Sequence, residues 1–157
     1  MTSCLQTFAR CHFTPTRWDT AQDKRWFAQQ FMRFVQGDFL VKYFTERFYR
    51  RLSNTFGHIA HYNRDGFWST FFTTTVDKLR FLEQTLEHPC WGDPAWTYSD
   101  VERALQAWLQ ADGTLARYRR KLAEETESTE RTELLRLQKK YGREQLHHVS
   151  QGETQCR

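Results

Sequence analysis

Phenylalanine recurs at helical spacing through the first half of this chain, and that pattern restricts the fold more than any other feature. Phe27, Phe31, Phe34 and Val35 share one helix face. So do Val41, Phe44, Phe48, Leu52, Phe56 and Ile59 when placed at about 100° per residue. Trp68, Phe72, Val76, Leu79, Leu82 and Leu86 form a third stripe. Val101, Ala104, Leu105, Trp108 and Leu109 form a fourth. No run alternates strongly enough to build a sheet. The spacing predicts an all-α fold: a single helical bundle of four to five helices, with an extended N-terminal arm and a charged C-terminal helical extension.

Local punctuation sets the expected boundaries. Residues 1–18 lack a helical period, and Pro15 biases Thr14 toward extended backbone, so they read as an arm tied down by Phe8, Phe13 and Trp18. Asp19 with Gln22 opens a first helix over 20–36, and Gly37 closes it. A second helix is expected over 38–61. Asn63-Arg64-Asp65-Gly66 reads as a turn, followed by a third helix over 67–87. Residues 88–98, with two prolines and a glycine, read as a loop, and Ser99 with Glu102 caps a fourth helix to Gln110. A fifth starts at Thr114 with Leu115, Tyr118 and Leu122. Residues 123–131 carry no large apolar side chain, so they are a solvated helix or a hinge. Leu134, Leu137 and Tyr141 resume a stripe rotated by about 90°, and a mobile tail follows Gly142. The expected organisation is an arm (1–18), a bundle (19–122) and a charged extension (123–157).

Charge and cysteine narrow the function classes. The net charge of +4 is uneven: residues 1–56 carry nine basic and four acidic groups. The excess of cations therefore lies in the first third, which permits an anionic partner without demanding one. The four cysteines, Cys4, Cys11, Cys90 and Cys156, form no tight pair, and a chain long enough for its own core has little need of disulfides. They read as reduced thiols, and the expected setting is cytoplasmic. No apolar run suits a signal peptide or a membrane span.

The strongest candidate site is the polar side of the second helix. Tyr43, Arg47, Arg50, Arg51, Asn54, His58 and His61 fall opposite its apolar stripe, over about 27 Å. Arginine forks match phosphate geometry, Asn54 suits an adenine edge, and Tyr43 suits stacking. Between Tyr43 and His61 the only acid is Glu46, whereas a face kept for solubility mixes signs. The bland alternative is a solvated helix face. His58 and His61 also make half of a metal site, which His88 and Cys90 would have to complete, although a helix of 20 residues spans about 30 Å and carries residue 88 away. Buried histidines bonded to neighbours are the simpler reading.

Catalytic signatures are missing: no GxSxG, P-loop, GxGxxG or HExxH run occurs. No cofactor is implied. Two function classes stay open. The favoured one is a non-enzymatic accessory protein that binds nucleic acid or a nucleoprotein complex through the basic helix face. The alternative is a protein-binding adaptor or inhibitor acting through exposed aromatics, with Trp91 and Trp96 as anchors. Its motive is that 18 of the 25 aromatics lie in the first 72 residues, more than a small bundle is expected to bury.

Overall fold

The computed structural model describes residues 8–17, 19–56, 63–87 and 100–151, with the backbone alone at 54–56, 85–87 and 143–151. Every regular element among these residues is helical. Six α-helices are present, α1 (Ala21–Gln36), α2 (Glu46–Phe56), α3 (Arg64–Phe71), α4 (Thr75–Glu87), α5 (Asp100–Ala111) and α6 (Thr114–Gln151), so the expected count of four to five is too low. The described chain falls into two units, one through Tyr118 and one from Arg119.

The first unit is organised around phenylalanine. Among the described residues eleven phenylalanines are buried, so this bundle takes most of its rings into one core. Phe34 is the hub. Its ring lies 5.0 Å from Phe39, 5.1 Å from Phe44, 5.5 Å from Phe48 and 4.9 Å from Phe72. Edge-to-face and offset pairs of this kind add about 0.5–1.5 kcal/mol each beyond their burial. α1 packs against α2 and α5, and α4 against α3 and α5, around this cluster.

The second expected helix, 38–61, is not one helix. α1 ends in a Schellman motif: Phe39 N–H donates to Phe34 O (2.9 Å) and Asp38 N–H to Val35 O (3.2 Å). Asp38 and Phe39 both take positive φ, 54° and 59°. Neither is glycine, so each carries strain of about 1–2 kcal/mol that neighbours must hold. They do so. Asp38 accepts from Tyr118 Oη (2.6 Å) and pairs with the buried Lys78 (3.2 Å). Phe39 stacks on Phe72, and its carbonyl accepts from Trp68 Nε1 (2.8 Å). A short 3-10 turn, Val41–Tyr43, then leads into α2. Val41, expected in the apolar stripe, is 52% exposed as a result.

Gly37 is needed for a different reason from the one the sequence suggests. Its own φ is −80°, which any residue adopts. A Cβ there would fall on Cε2 and Cδ2 of the Tyr43 ring, with Arg33 O on the other side. Gly37→Ala is therefore expected to destabilise the first unit by about 1–3 kcal/mol, the range for forcing extra volume into a packed site. Urea denaturation followed by near-ultraviolet circular dichroism reads this directly, and an unchanged midpoint would show that the Tyr43 ring moves freely.

The third expected helix is also two. α3 starts at the N-cap Asn63, whose side chain accepts from Gly66 N–H (2.7 Å), so the expected turn at 63–66 is a helix start. α4 opens on a second cap, Asp77 N–H donating to Thr74 Oγ1 (3.1 Å). The chain bends at 72–74, and Val76 is 44% exposed rather than part of a core stripe. α5 matches expectation, burying Val101, Leu105, Trp108 and Leu109.

The second unit is the remainder of α6, from Arg119. Residues 123–136 are exposed throughout, so the polar stretch is a solvated helix rather than a hinge. Glu127 pairs with Arg131, and Glu133 with Arg136, at helical spacing. Helix continues past Gly142 to Gln151, where a tail was expected.

Candidate functional site

The basic face resolves into three guanidinium groups, each of which meets a carboxylate. Arg47 Nη2 lies 3.4 Å from Asp23 Oδ1, and its guanidinium sits over the Trp26 ring at 4.0 Å. Arg50 Nε lies 3.0 Å from Glu46 Oε1, one helical turn back. Arg51 Nη2 lies 2.8 Å from Asp19 Oδ2, over the Phe27 ring at 4.7 Å. Two of the three carboxylates come from the segment before α1 (Asp19) and from its first turn (Asp23). The premise that no anion cancels these cations is therefore corrected: three positive groups face three negative ones.

The burial of the three differs, and so does their role. Arg51 keeps only 18% of its side chain exposed and ties α2 to the segment before α1. Arg47 and Arg50 are 66% and 75% exposed. Asp23 is already engaged locally, in a capping box with the N-cap Thr20. Hydrogen bonds from the Thr20 side chain and backbone, with Arg47 and Arg51 nearby, hold its carboxyl below the usual carboxylate range.

Tyr43 is half-buried on the 3-10 turn rather than on the helix face, placed by its packing against Gly37. The Asn54 side chain, His58, His61, Trp91 and Trp96 lie outside the described residues, as do His88 and Cys90. Of the expected constellation, the described residues bring together Arg47, Arg50 and Arg51 only. Among the described residues no group of three or more His, Cys, Asp and Glu could hold a metal ion, and no helix is long and apolar enough to cross a membrane.

Two features of the first unit were not anticipated. Lys24 is only 2% exposed, and its Nζ donates to Asp100 Oδ1 and to Thr14 O, both at 2.6 Å. Asp100 Oδ2 also accepts from Thr14 N–H at 2.6 Å. Burial pushes the Asp100 carboxyl up, but the bonds from Lys24 and Thr14 outweigh it and leave it below the usual range. The second is Tyr118, whose hydroxyl is pushed up by burial and by donation to Asp38. A lysine at position 24 of an apolar helix face was the available signal for the first. Nothing local signals the second.

The second unit supplies a different kind of surface. Leu134, Leu135 and Tyr141 are 55%, 66% and 50% exposed, within eight residues of one helix. Leu134, Leu137 and Tyr141 fall at i, i+3 and i+7, the spacing of one helix face. Single exposed apolar residues are ordinary, but Leu134 and Tyr141 exposed on one face, with the partly exposed Leu137 between them, form a patch.

No protein-family model matches the chain, and no curated protein or solved structure is detectably similar to it.

Proposed function

We propose that this protein is a non-enzymatic helical accessory protein that binds another protein through the second unit of α6. The observation that carries the reading is the exposure of Leu134 and Tyr141 on one helix face, with the partly exposed Leu137 between them. Anchors at i, i+3 and i+7 are the form in which a helix enters an apolar groove on a partner. The flanking pairs Glu127–Arg131 and Glu133–Arg136 support the helix without a core beneath it, so the face is presented ready-made. This belongs to the adaptor class that the sequence left open as the alternative, with residues of α6 in place of the loop tryptophans Trp91 and Trp96 as the contact.

The test uses two variants of the full chain: Leu134→Glu/Leu137→Glu/Tyr141→Glu, and the charge reversal Arg47→Glu/Arg50→Glu/Arg51→Glu. A partner recovered from the native host is purified and titrated calorimetrically. The α6 variant is expected to weaken binding at least about tenfold, which is a difference of about 1.4 kcal/mol. Equal affinity for the wild type and the α6 variant would overturn the reading.

A second reading, nucleic-acid or nucleoprotein binding through α2, draws support from the exposure of Arg47 and Arg50. Exposed ion pairs are held weakly, so a phosphate could replace Asp23 or Glu46 as partner. Retention on heparin that is lost in the α2 variant would favour it.

A further inference from the structure

The arm before α1 is gripped by its main chain. Thr14 N–H donates to Asp100 Oδ2 and Thr14 C=O accepts from Lys24 Nζ, so one amino acid is held at both polar groups by a buried lysine and a carboxylate that are themselves paired. Such a grip recognises backbone, not sequence. Selectivity comes from two rings: Phe8 is 2% exposed and meets Trp108 edge-on at 6.4 Å, and Phe13 is 6% exposed. The seat is made by α1 and α5 (Lys24, Asp100 and Trp108), and α1 packs directly on α5. It is therefore complete without the arm.

All of this hold lies at or before Thr14. The next three residues, Pro15, Thr16 and Arg17, are exposed. They fold the arm back along α1 through a local turn, Thr16 N–H to Asp19 O at 2.8 Å and Asp19 N–H to Thr16 Oγ1 at 3.1 Å. Opening that turn breaks these exposed hydrogen bonds together with the further contacts of Thr16 and Arg17, and leaves the seated contacts of the arm able to form again on another molecule. Proline in the linker stiffens it and keeps Thr14 extended whichever molecule seats it.

We infer that the α1–α5 groove accepts residues 8–14 of a second copy of this chain, giving a dimer with reciprocally exchanged arms. The groove fits that occupant by construction, because it already seats the identical segment. Exchange in both directions closes the pair with twofold symmetry and leaves no open end. The chain's own arm competes at an effective concentration in the millimolar range, so the exchanged form gains only in concentrated protein or where the resident arm is weakened. This inference is independent of the α6 reading.

Two full-length variants test it by complementation. Phe8→Ala/Phe13→Ala keeps the groove and disables the arm. Lys24→Met/Asp100→Asn keeps the arm and loosens the groove. Each alone is expected to run as a monomer in size-exclusion chromatography with light scattering. Mixed, they are expected to give a 1:1 heterodimer, with the intact arm seated in the intact groove. Monomers in the mixture would overturn the inference, and so would a dimer of the arm-disabled variant by itself. If either variant is unfolded by circular dichroism, wild-type protein decides. A concentrated mixture of isotope-labelled and unlabelled chains should show magnetisation transfer between Phe8 of one molecule and Trp108 of another, and its absence would refute exchange.

Discussion

Phe34→Ala should lower the urea midpoint of the first unit by about 2 M or leave it unfolded in water. The size follows from the site. Phe34 is fully buried and touches four other rings, contributed by the α1–α2 corner, α2 and the bend before α4. Removing a buried phenylalanine ring costs about 3–5 kcal/mol, and the upper part applies where neighbours cannot collapse into the space. Rings are rigid, so Phe39, Phe44 and Phe72 cannot close the cavity without leaving their own partners. Domains of this size hold about 5–15 kcal/mol in total, and small domains lose about 1–3 kcal/mol per molar urea. Leu134→Ala is the control: exposed and outside the first unit, it should leave the same transition unmoved. A Phe34→Ala midpoint within about 0.5 M of wild type would mean that the aromatic cluster is loosely packed.

Lys24→Ala should destabilise the first unit by about 2–4 kcal/mol, slightly less than for a fully buried pair because Asp100 keeps a quarter of its side chain in water. The lysine is nearly inaccessible, and its loss leaves Asp100 and Thr14 O with one donor fewer beside the space it filled. The same pair predicts the acid limb of stability. In the folded chain the Asp100 carboxyl ionises below its usual range, as does Asp23. A depressed folded value favours the folded state above the unfolded carboxylate pKa of about 3.9, and that contribution is lost as pH falls toward the lower folded value. Wild-type stability should therefore fall steeply below pH about 4, and Lys24→Ala should flatten that fall. Parallel pH profiles for the two proteins would contradict the pairing.

The parts of this fold legible in the sequence are those fixed by neighbours within one helix. α1 and α5 stand where their apolar spacing puts them, and Gly37 marks the end of α1. The corner after it was not legible, because the left-handed positions fall on Asp38 and Phe39 rather than on the glycine, and long-range partners hold them there. Val41 keeps the register of the Phe44–Phe48–Leu52 stripe by coincidence, since the backbone between them is not α-helical. Phe72 and Val76 likewise keep helical register across a bend. The Thr74–Asp77 spacing, an N-cap in which Asp77 N–H donates to Thr74 Oγ1 and the Thr74 hydroxyl donates to Asp77, was the local sign of that bend, set within a β-branched run. The charge balance around the candidate site was illegible for the same physical reason. Between residues 43 and 61 the only acid is Glu46, but Asp19, just before α1, and Asp23, in its first turn, arrive from 32 and 24 positions away. Charge balance on a folded surface is a tertiary property, and a wheel drawn for one helix does not contain it.

Whether the arginines of α2 are engaged within the fold or offered to phosphate is decided most directly by fluorescence anisotropy of a labelled duplex, titrated with wild type and with Arg47→Glu/Arg50→Glu/Arg51→Glu at low and high salt. Neutralising several phosphates would give a steep fall in affinity with salt, with a log–log slope of about −0.9 per contact. With Asp19, Asp23 and Glu46 balancing the three cations, both proteins should bind weakly and with closely similar, shallow salt dependence. Tight wild-type binding whose steep slope vanishes in the triple variant would show that those carboxylates yield to nucleic acid.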